Sequence, residues 1–301
     1  MRRIRRWAPG LLLVAPSLLV LGIFVYGFMG WTLRLSLTSS RRRDINWDYV
    51  GAENYRELAD ETTLTGQRFA IDVKNIVIFT LAFVVGSLVV GFFLALLLDR
   101  GVVGESFFRG VYIFPMAISF IAIAIVWRWL LNNGTGDQLT GLNKLFSLAG
   151  LDFLQSDWFK SDSGFAIAAV ALPAGWALSG YVMALFLAGM RGVPEDLREA
   201  ARVDGAREHQ VFWHVVRPML LPVTMSALVI LVHISLKTFD LIYAMDLKSL
   251  KIDTPALFMW FTTFEGGFFG SGAAIATLLL FGVSLVIIPY IWYSVRAERR
   301  S

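Results

Sequence analysis

The sequence predicts an all-α integral membrane protein with six membrane-crossing helices. Three observations predict it. Of the 301 residues, 56% are hydrophobic and 17% charged, against about 45–50% and about 25% in ordinary soluble domains. The apolar residues are gathered into runs instead of being spread at the spacing of a soluble core. Each run approaches or exceeds the roughly 20 residues that a helix needs to cross a bilayer. Helices are required there because lipid offers no partner to free N–H and C=O groups.

The first crossing is expected at 9–33. Arg2, Arg3, Arg5 and Arg6 precede an apolar stretch too long for the roughly 7–15 residues of a signal-peptide core, and no small-residue cleavage site follows. The first helix is therefore read as uncleaved. The polar loop 38–72 follows, with "WDYVGAENYREL" reading as a short helix or turn. Crossings are expected at 75–98, at 107–131 and at 164–190, the last after a loop whose "LNKLF" reads as a short interfacial helix. The fifth and sixth are expected at 218–245 and 270–293. An even number places both termini on one side. Arg100, Arg109, Arg191, Arg198, Arg202, Arg207, Arg217, Arg296, Arg299 and Arg300 flank the ends on the N-terminal side, whereas the opposite short loops carry Lys144, Lys160, Lys248 and Lys251. Arg41–Arg43 argue the other way, but from a long loop, and the first helix with its leading arginines dominates. The expected topology is N-in/C-in. The chain reads as a single membrane domain, 1–301, with a core of roughly 72–294 that includes the insert 191–218, and with 1–71 forming the first helix and outer loop.

Several chemistries are absent from the sequence. With no cysteine, disulfides, thiolate metal sites and cysteine nucleophiles are excluded. The formal charge of +4 comes from arginines flanking apolar runs, not from a basic, aromatic-interleaved soluble face, so no nucleic-acid partner is expected. The three histidines form no H-E-x-x-H, and neither a nucleophile elbow nor a phosphate-binding Gly-x4-Gly-Lys-Ser/Thr loop is present. No catalytic residues, no metal and no cofactor are therefore expected in this chain. "GGFFGSGAA" opens an apolar helix and reads as helix packing. Tryptophans read as interfacial belts.

Polar side chains within crossings are expensive and usually face a cavity or a partner. They are Arg34, Arg128, His233, Lys237, Asp240 and Glu265. Lys237 and Asp240 are three apart and can pair along one helix. That pair reads either as a neutralised structural contact between subunits or, with Tyr243, as the lining of a translocation path.

The insert "VPEDLREAARVDGAREHQVFWHVVRPMLLP" stands out by its charge. Pro194 suits a helix start, and Glu195 and Asp196 favour the positive N-terminal end. Leu197, Ala200 and Ala201 share one shallow face. Asp204 and Gly205 read as a turn, because glycine tolerates the left-handed conformation. A second helical piece follows, and Pro218 and Pro222 mark re-entry into the membrane. This is a helix–turn–helix elbow between the fourth and fifth crossings.

The elbow resembles the EAA loop of binding-protein-dependent ABC import permeases, whose pattern is Glu-Ala-Ala, three residues, Gly, nine residues and Ile-x-Leu-Pro. Here Glu199, Ala200, Ala201, Gly205, Val215 and Pro218 stand at those spacings, and Asp204 and Ala206 complete the common Asp-Gly-Ala. Arg217 departs from the pattern where an apolar residue is expected. "VGAENY", "LALLLDRGVVGESFFRGVYIFP" and "KTFDLIYAM" are similar to the carbohydrate-uptake branch, of the maltose or glycerol-phosphate permease type. "DLKSLKIDTP" stands where many members carry a glycine-rich loop.

The resemblance implies a sugar importer in a bacterial or archaeal plasma membrane. It implies a second permease subunit, two cytoplasmic ATP-binding subunits that hold ATP and magnesium, and an extracellular solute-binding protein that delivers the sugar. It implies that Glu199, Ala200, Ala201, Asp204 and Gly205 couple this chain to the ATPases, and that alternating access follows. A secondary, ion-coupled transporter of a small polar solute is the alternative. It is weakened by the sequence showing no midchain pair of broken helices and no inverted repeat. A membrane-embedded enzyme lacks any visible acid–base set.

Overall fold

The computed structural model of the chain describes residues 13–41, 47–132, 134, 138–161, 164–246 and 249–298. Arg2, Arg3, Arg5, Arg6, Arg42, Arg43, Lys248, Arg299 and Arg300, which entered the orientation argument, lie outside the described residues. The helices in chain order are α1 (Leu13–Leu35), α2 (Glu53–Ala59), α3 (Leu64–Asp99), α4 (Glu105–Ala117), α5 (Phe120–Leu130), α6 (Gly141–Leu148), α7 (Phe165–Arg191), α8 (Glu195–Val203), α9 (Glu208–Met219), α10 (Leu221–Leu236), α11 (Asp240–Asp246), α12 (Pro255–Trp260) and α13 (Phe269–Glu298). Among the described residues, extended pairing is confined to one isolated bridge between Thr38 and Tyr49.

Among the described residues, four helices, α1, α3, α7 and α13, are long and apolar enough to cross a membrane. Two bent pairs, α4–α5 at 100° and α9–α10 at 58°, raise the number to six if each pair is one crossing. The short helices read from "WDYVGAENYREL" and "LNKLF" form as α2 and α6.

The chain forms two compact units, one of Met1–Gln67 with Phe258–Phe281, the other of Arg68–Leu257 with Gly282–Ser301. In the first, α1 buries none of its spanning residues. The loop after it is held by Asn54 of α2. Its Nδ2 donates to the carbonyls of Ser36 (2.8 Å) and Thr38 (2.9 Å), and its Oδ1 accepts from Ser271 Oγ (3.1 Å) at the start of α13. One buried amide thus ties three segments. Arg34, read as a costly polar group, lies 4.8 Å from the Trp47 ring centroid at the end of α1, where the ring face attracts the cation.

In the second unit α7 is the central helix, with 67% of its spanning window buried. Small residues let its neighbours close on it. A Cβ at Gly180 would overlap the Tyr112 carbonyl of α4, and one at Gly91 of α3 would overlap Val182 of α7. At 36 residues, α3 is about 54 Å long, well beyond the roughly 30 Å of hydrocarbon in a bilayer. The expected start at residue 75 was late by three turns, because counting apolar residues stops at Arg68 and Asp72. Arg68 is instead held by Asp253, and Asp72 is buried among its neighbours.

The third and fifth crossings are not the single helices that hydropathy suggests. In the third, Ile118 and Ser119 are extended (ψ 139° and 144°), and Ser119 Oγ accepts from Ala122 N–H (3.2 Å) to start α5 afresh. In the fifth, the bend falls at Leu220, where Pro222 lacks the N–H that would bond the Pro218 carbonyl. A second interruption at 237–239 separates α10 from α11. Lys237 ends one helix and Asp240 begins the next. The helical pairing expected of them therefore has no helix to act on, and among the described residues no ion pair joins them.

Candidate functional site

The elbow grows out of the end of α7. Gly192 N–H donates to the Ala188 carbonyl (3.0 Å), Val193 is buried, and Pro194 is extended at the start of α8. Glu195 and Asp196 occupy the first turn and Arg202 the last, each sign at the helix end that attracts it. The C-terminus closes as a Schellman turn. Ala206 N–H bonds the Ala201 carbonyl and Gly205 N–H the Arg202 carbonyl, both at 3.0 Å. Gly205 has φ +84°, the left-handed region that glycine enters freely. A Cβ there would meet no atom within 4 Å, so the requirement for glycine is conformational and not steric.

The sequence-predicted coupling residues fall together on this elbow. Glu199, Ala200, Asp204 and Gly205 are exposed and Ala201 is half-buried. Leu197 and Val203 are exposed beside them, the latter at 86%. Three residues that sequence reasoning missed hold the elbow in shape. Arg202 donates through Nε to Glu208 Oε1 (2.8 Å) and through Nη1 to Glu195 Oε1 (2.9 Å), bridging both helices across the turn. Its hydrogen bond to Glu208, then that to Glu195, holds the guanidinium proton more firmly than usual. Gln210 Oε1 accepts from Arg207 N–H (2.8 Å) and caps α9. The i to i+7 spacing of Glu195 and Arg202, two turns along one face, was the available signal.

Arg217, out of pattern in the sequence, is exposed and lies 4.7 Å from the Trp213 ring centroid, one turn earlier. The buried positions here are Val211, Val216 and Leu220. The cation therefore replaces no core residue.

The path candidates lie at the second helix break. A cavity of about 280 Å³ is lined by residues of α5, the end of α10 and the start of α11, including Phe120, His233, Lys237, Thr238 and Asp240. Lys237 and Asp240 are exposed at it, while Tyr243 is half-buried behind the lining, its ring tilted against that of the lining residue Phe239 at 5.3 Å between centroids. His233 contributes a buried Nδ1 with no hydrogen-bond partner. The structure thus brings His233, already noted as a polar side chain within a crossing, together with Lys237 and Asp240, and adds Thr238, Phe120 and Phe239 to the residues read from the sequence.

At the other end of α3 stands a strap, 249–254, within the stretch "DLKSLKIDTP". Arg68 Nε and Nη2 both reach Asp253 Oδ2 (2.8 and 2.6 Å). Asn75 Nδ2 donates to the Asp253 carbonyl (2.9 Å), and Lys251 Nζ to the Lys160 carbonyl (2.7 Å). Asp253 is buried, which pushes its carboxyl above the ordinary range, although Arg68 pulls the other way. Asp72, one turn beyond Arg68, is fully buried and neither of its carboxylate oxygens has a hydrogen-bond partner.

With elbow, cavity and strap placed, comparison with known proteins decides the family. Residues 87–299 match the family described as binding-protein-dependent transport system inner membrane component. The chain belongs to this family. A probable ABC transporter permease of Pyrococcus horikoshii is 37% identical over 292 residues, 96% of this chain and 97% of that protein. A xylose/arabinose import permease of Haloferax volcanii is 34% identical over 280 residues, 91% of this chain and 84% of that one. A chain of a bacterial ABC transporter that imports the acidic polysaccharide alginate shares the fold, with TM-score 0.76 and 18% identity over 99% of this chain and 98% of that one. The family is a transport permease component and not an enzyme. Its members are inner membrane components, and the several long apolar helices fit a multi-pass membrane protein.

Membership also settles a point that the helices reopened. The apparent lack of broken helices argued against a secondary transporter, yet the described residues hold two bent pairs. That argument falls, and the family match takes its place.

Proposed function

We propose that this chain is the membrane-spanning permease subunit of an ATP-driven importer of a sugar or sugar derivative. It works beside a second permease, in an N-in/C-in arrangement of six crossings. Two cytoplasmic ATPase subunits bind ATP and magnesium, and an extracellular binding protein delivers the substrate. The observation that carries this reading is the elbow. Its Glu-Ala-Ala and Asp-Gly residues form a prestiffened, exposed helix and turn at the end of α7. That surface suits an external clamp. Glu199 offers charge, Ala200 and Ala201 permit close approach, and Gly205 sets the bend. Closure of the ATPases pushes the elbow, and the membrane helices shift as rigid bodies.

The sugar reading draws on relatives named for xylose and arabinose, multiple sugars, glycerol phosphate and alpha-glucosides. The cavity beside Lys237 and Asp240 suits a small polar solute, since polar groups converge among Phe120 and Phe239. Broken helices are where transporters place substrate sites.

The test is reconstitution with the co-expressed ATPase, second permease and binding protein, supplied in turn with xylose, arabinose and maltose. Uptake of at least one is expected to need ATP and to persist under an uncoupler at constant ATP. Uptake by this chain alone under a proton gradient would sink the reading.

A further inference from the structure

Among the described residues, α8 donates one side-chain hydrogen bond to a spanning helix, and Arg198 makes it. Arg198 Nη2 donates to the Met190 carbonyl (2.6 Å) in the last turn of α7. Carbonyls there carry the negative end of the helix dipole, and the Met190 carbonyl, which also accepts from Val193 N–H at 3.3 Å, has a second lone pair that a guanidinium binds well. The same group stands 3.9 Å from Asp99 Oδ2, the last residue of α3, and 3.9 Å from Glu195 Oε2. Its side chain is only 17% exposed, and its Nε is buried without a hydrogen-bond partner. One cation on the elbow therefore faces the ends of two membrane helices, bonded to one and within ion-pair range of the other.

We propose that Arg198 is the positioning residue that transmits motion of the elbow to α7 and α3. The proposal rests on the coupling role assigned to the elbow above. Without Arg198 the elbow stays folded through Arg202 and the Schellman turn, because those contacts do not involve it. It is still gripped by an ATPase, but it moves on the 192–194 link without carrying α7 and α3 along.

The absence of cysteine makes this testable without knowing the sugar. Thr238→Cys places a lone thiol at the cavity, and a membrane-impermeant maleimide reports its exposure. In the assembled complex, trapping with MgATP and vanadate is expected to change the labelling rate. Adding Arg198→Ala is expected to shrink that change by roughly tenfold, the scale of one charge-assisted hydrogen bond, while ATP hydrolysis continues. Arg198→Lys, which keeps a donor, is expected to recover part of it. Should the alanine variant fail to assemble, Arg198→Met keeps the apolar stem and gives the same readings. A wild-type labelling change in the variant overturns the proposal. So does a parallel fall of hydrolysis and labelling change, which marks a merely structural role. If the unmodified complex hydrolyses ATP with no labelling change at all, the transport reading fails instead, and the two failures stay distinct.

Discussion

The two ends of α3 handle charge in opposite ways. At the elbow end, most charges lie at the surface and pair among themselves: Arg202 with the exposed Glu195 and Glu208, and Arg191 with the half-buried Glu105 at 2.7 Å, Arg198 being the half-buried exception. At the strap end, Asp72 and Asp253 are buried, and Arg68 holds Asp253. Exposed pairs contribute little to stability, and salt screens them. Buried pairs are strained by desolvation, and removing one partner is costly. The elbow is thus built to keep its shape cheaply while presenting a surface. The strap is built to be either fully engaged or badly unsatisfied. One end presents a charged surface, and the other encloses its charges.

Breaking the strap is expected to have the largest effect. Arg68→Met leaves Asp253 buried beside Asp72 with no cation, and should cost about 3 kcal/mol. Thermal unfolding in detergent would show this as a lowered midpoint. A loss no larger than that of an exposed arginine would erase the contrast between the two ends.

At the elbow, Gly205→Val should strain the left-handed turn by about 1–2 kcal/mol, whereas Gly205→Asn should be well tolerated. Since a Cβ meets open space, the valine variant should insert and assemble but lose ATP-driven uptake. Equal uptake by the valine and asparagine variants would show that the φ +84° turn is not needed.

The strap should also respond to pH. Burial raises the Asp253 carboxyl above its unfolded value, so the folded strap holds its proton longer than the unfolded chain does. Stability from this source is complete below the ordinary carboxylate range, near 4, and is lost as pH rises through the folded value. Hydrogen exchange in 250–254 should quicken with pH beyond the intrinsic trend. Asp253→Asn should flatten that response.

The smallest effect is expected from Arg202→Ala. Its partners are exposed, so any fall in the unfolding midpoint should vanish in high salt. A salt-resistant loss would mean that the elbow's charges are not screened as its exposure implies.

Much of the elbow was legible in the sequence because its signals are local. Proline at a helix start, acids in the first turn and glycine at a left-handed turn all act within a few residues. The Glu-Ala-Ala spacing is local as well. Arg202 was missed because it bridges two helices, and Arg198 because its acceptor is a backbone carbonyl that no residue type announces. The helix breaks were missed because hydropathy averages over a window, and the segments around Ser119 and Thr238 stay apolar enough to pass. The strap was missed because Arg68 and Asp253 are 185 residues apart.

The sequence by itself determined the apolar helices, the charged elbow between them and the turn at Gly205, because each follows from local hydrophobicity or backbone preference. Only the tertiary structure decided that Lys237 and Asp240 flank a helix break beside a cavity, and that Arg68 meets Asp253. It alone set Arg198 against the end of α7. These depend on which distant backbone and side-chain groups packing brings within hydrogen-bonding range, and no short stretch of sequence encodes that.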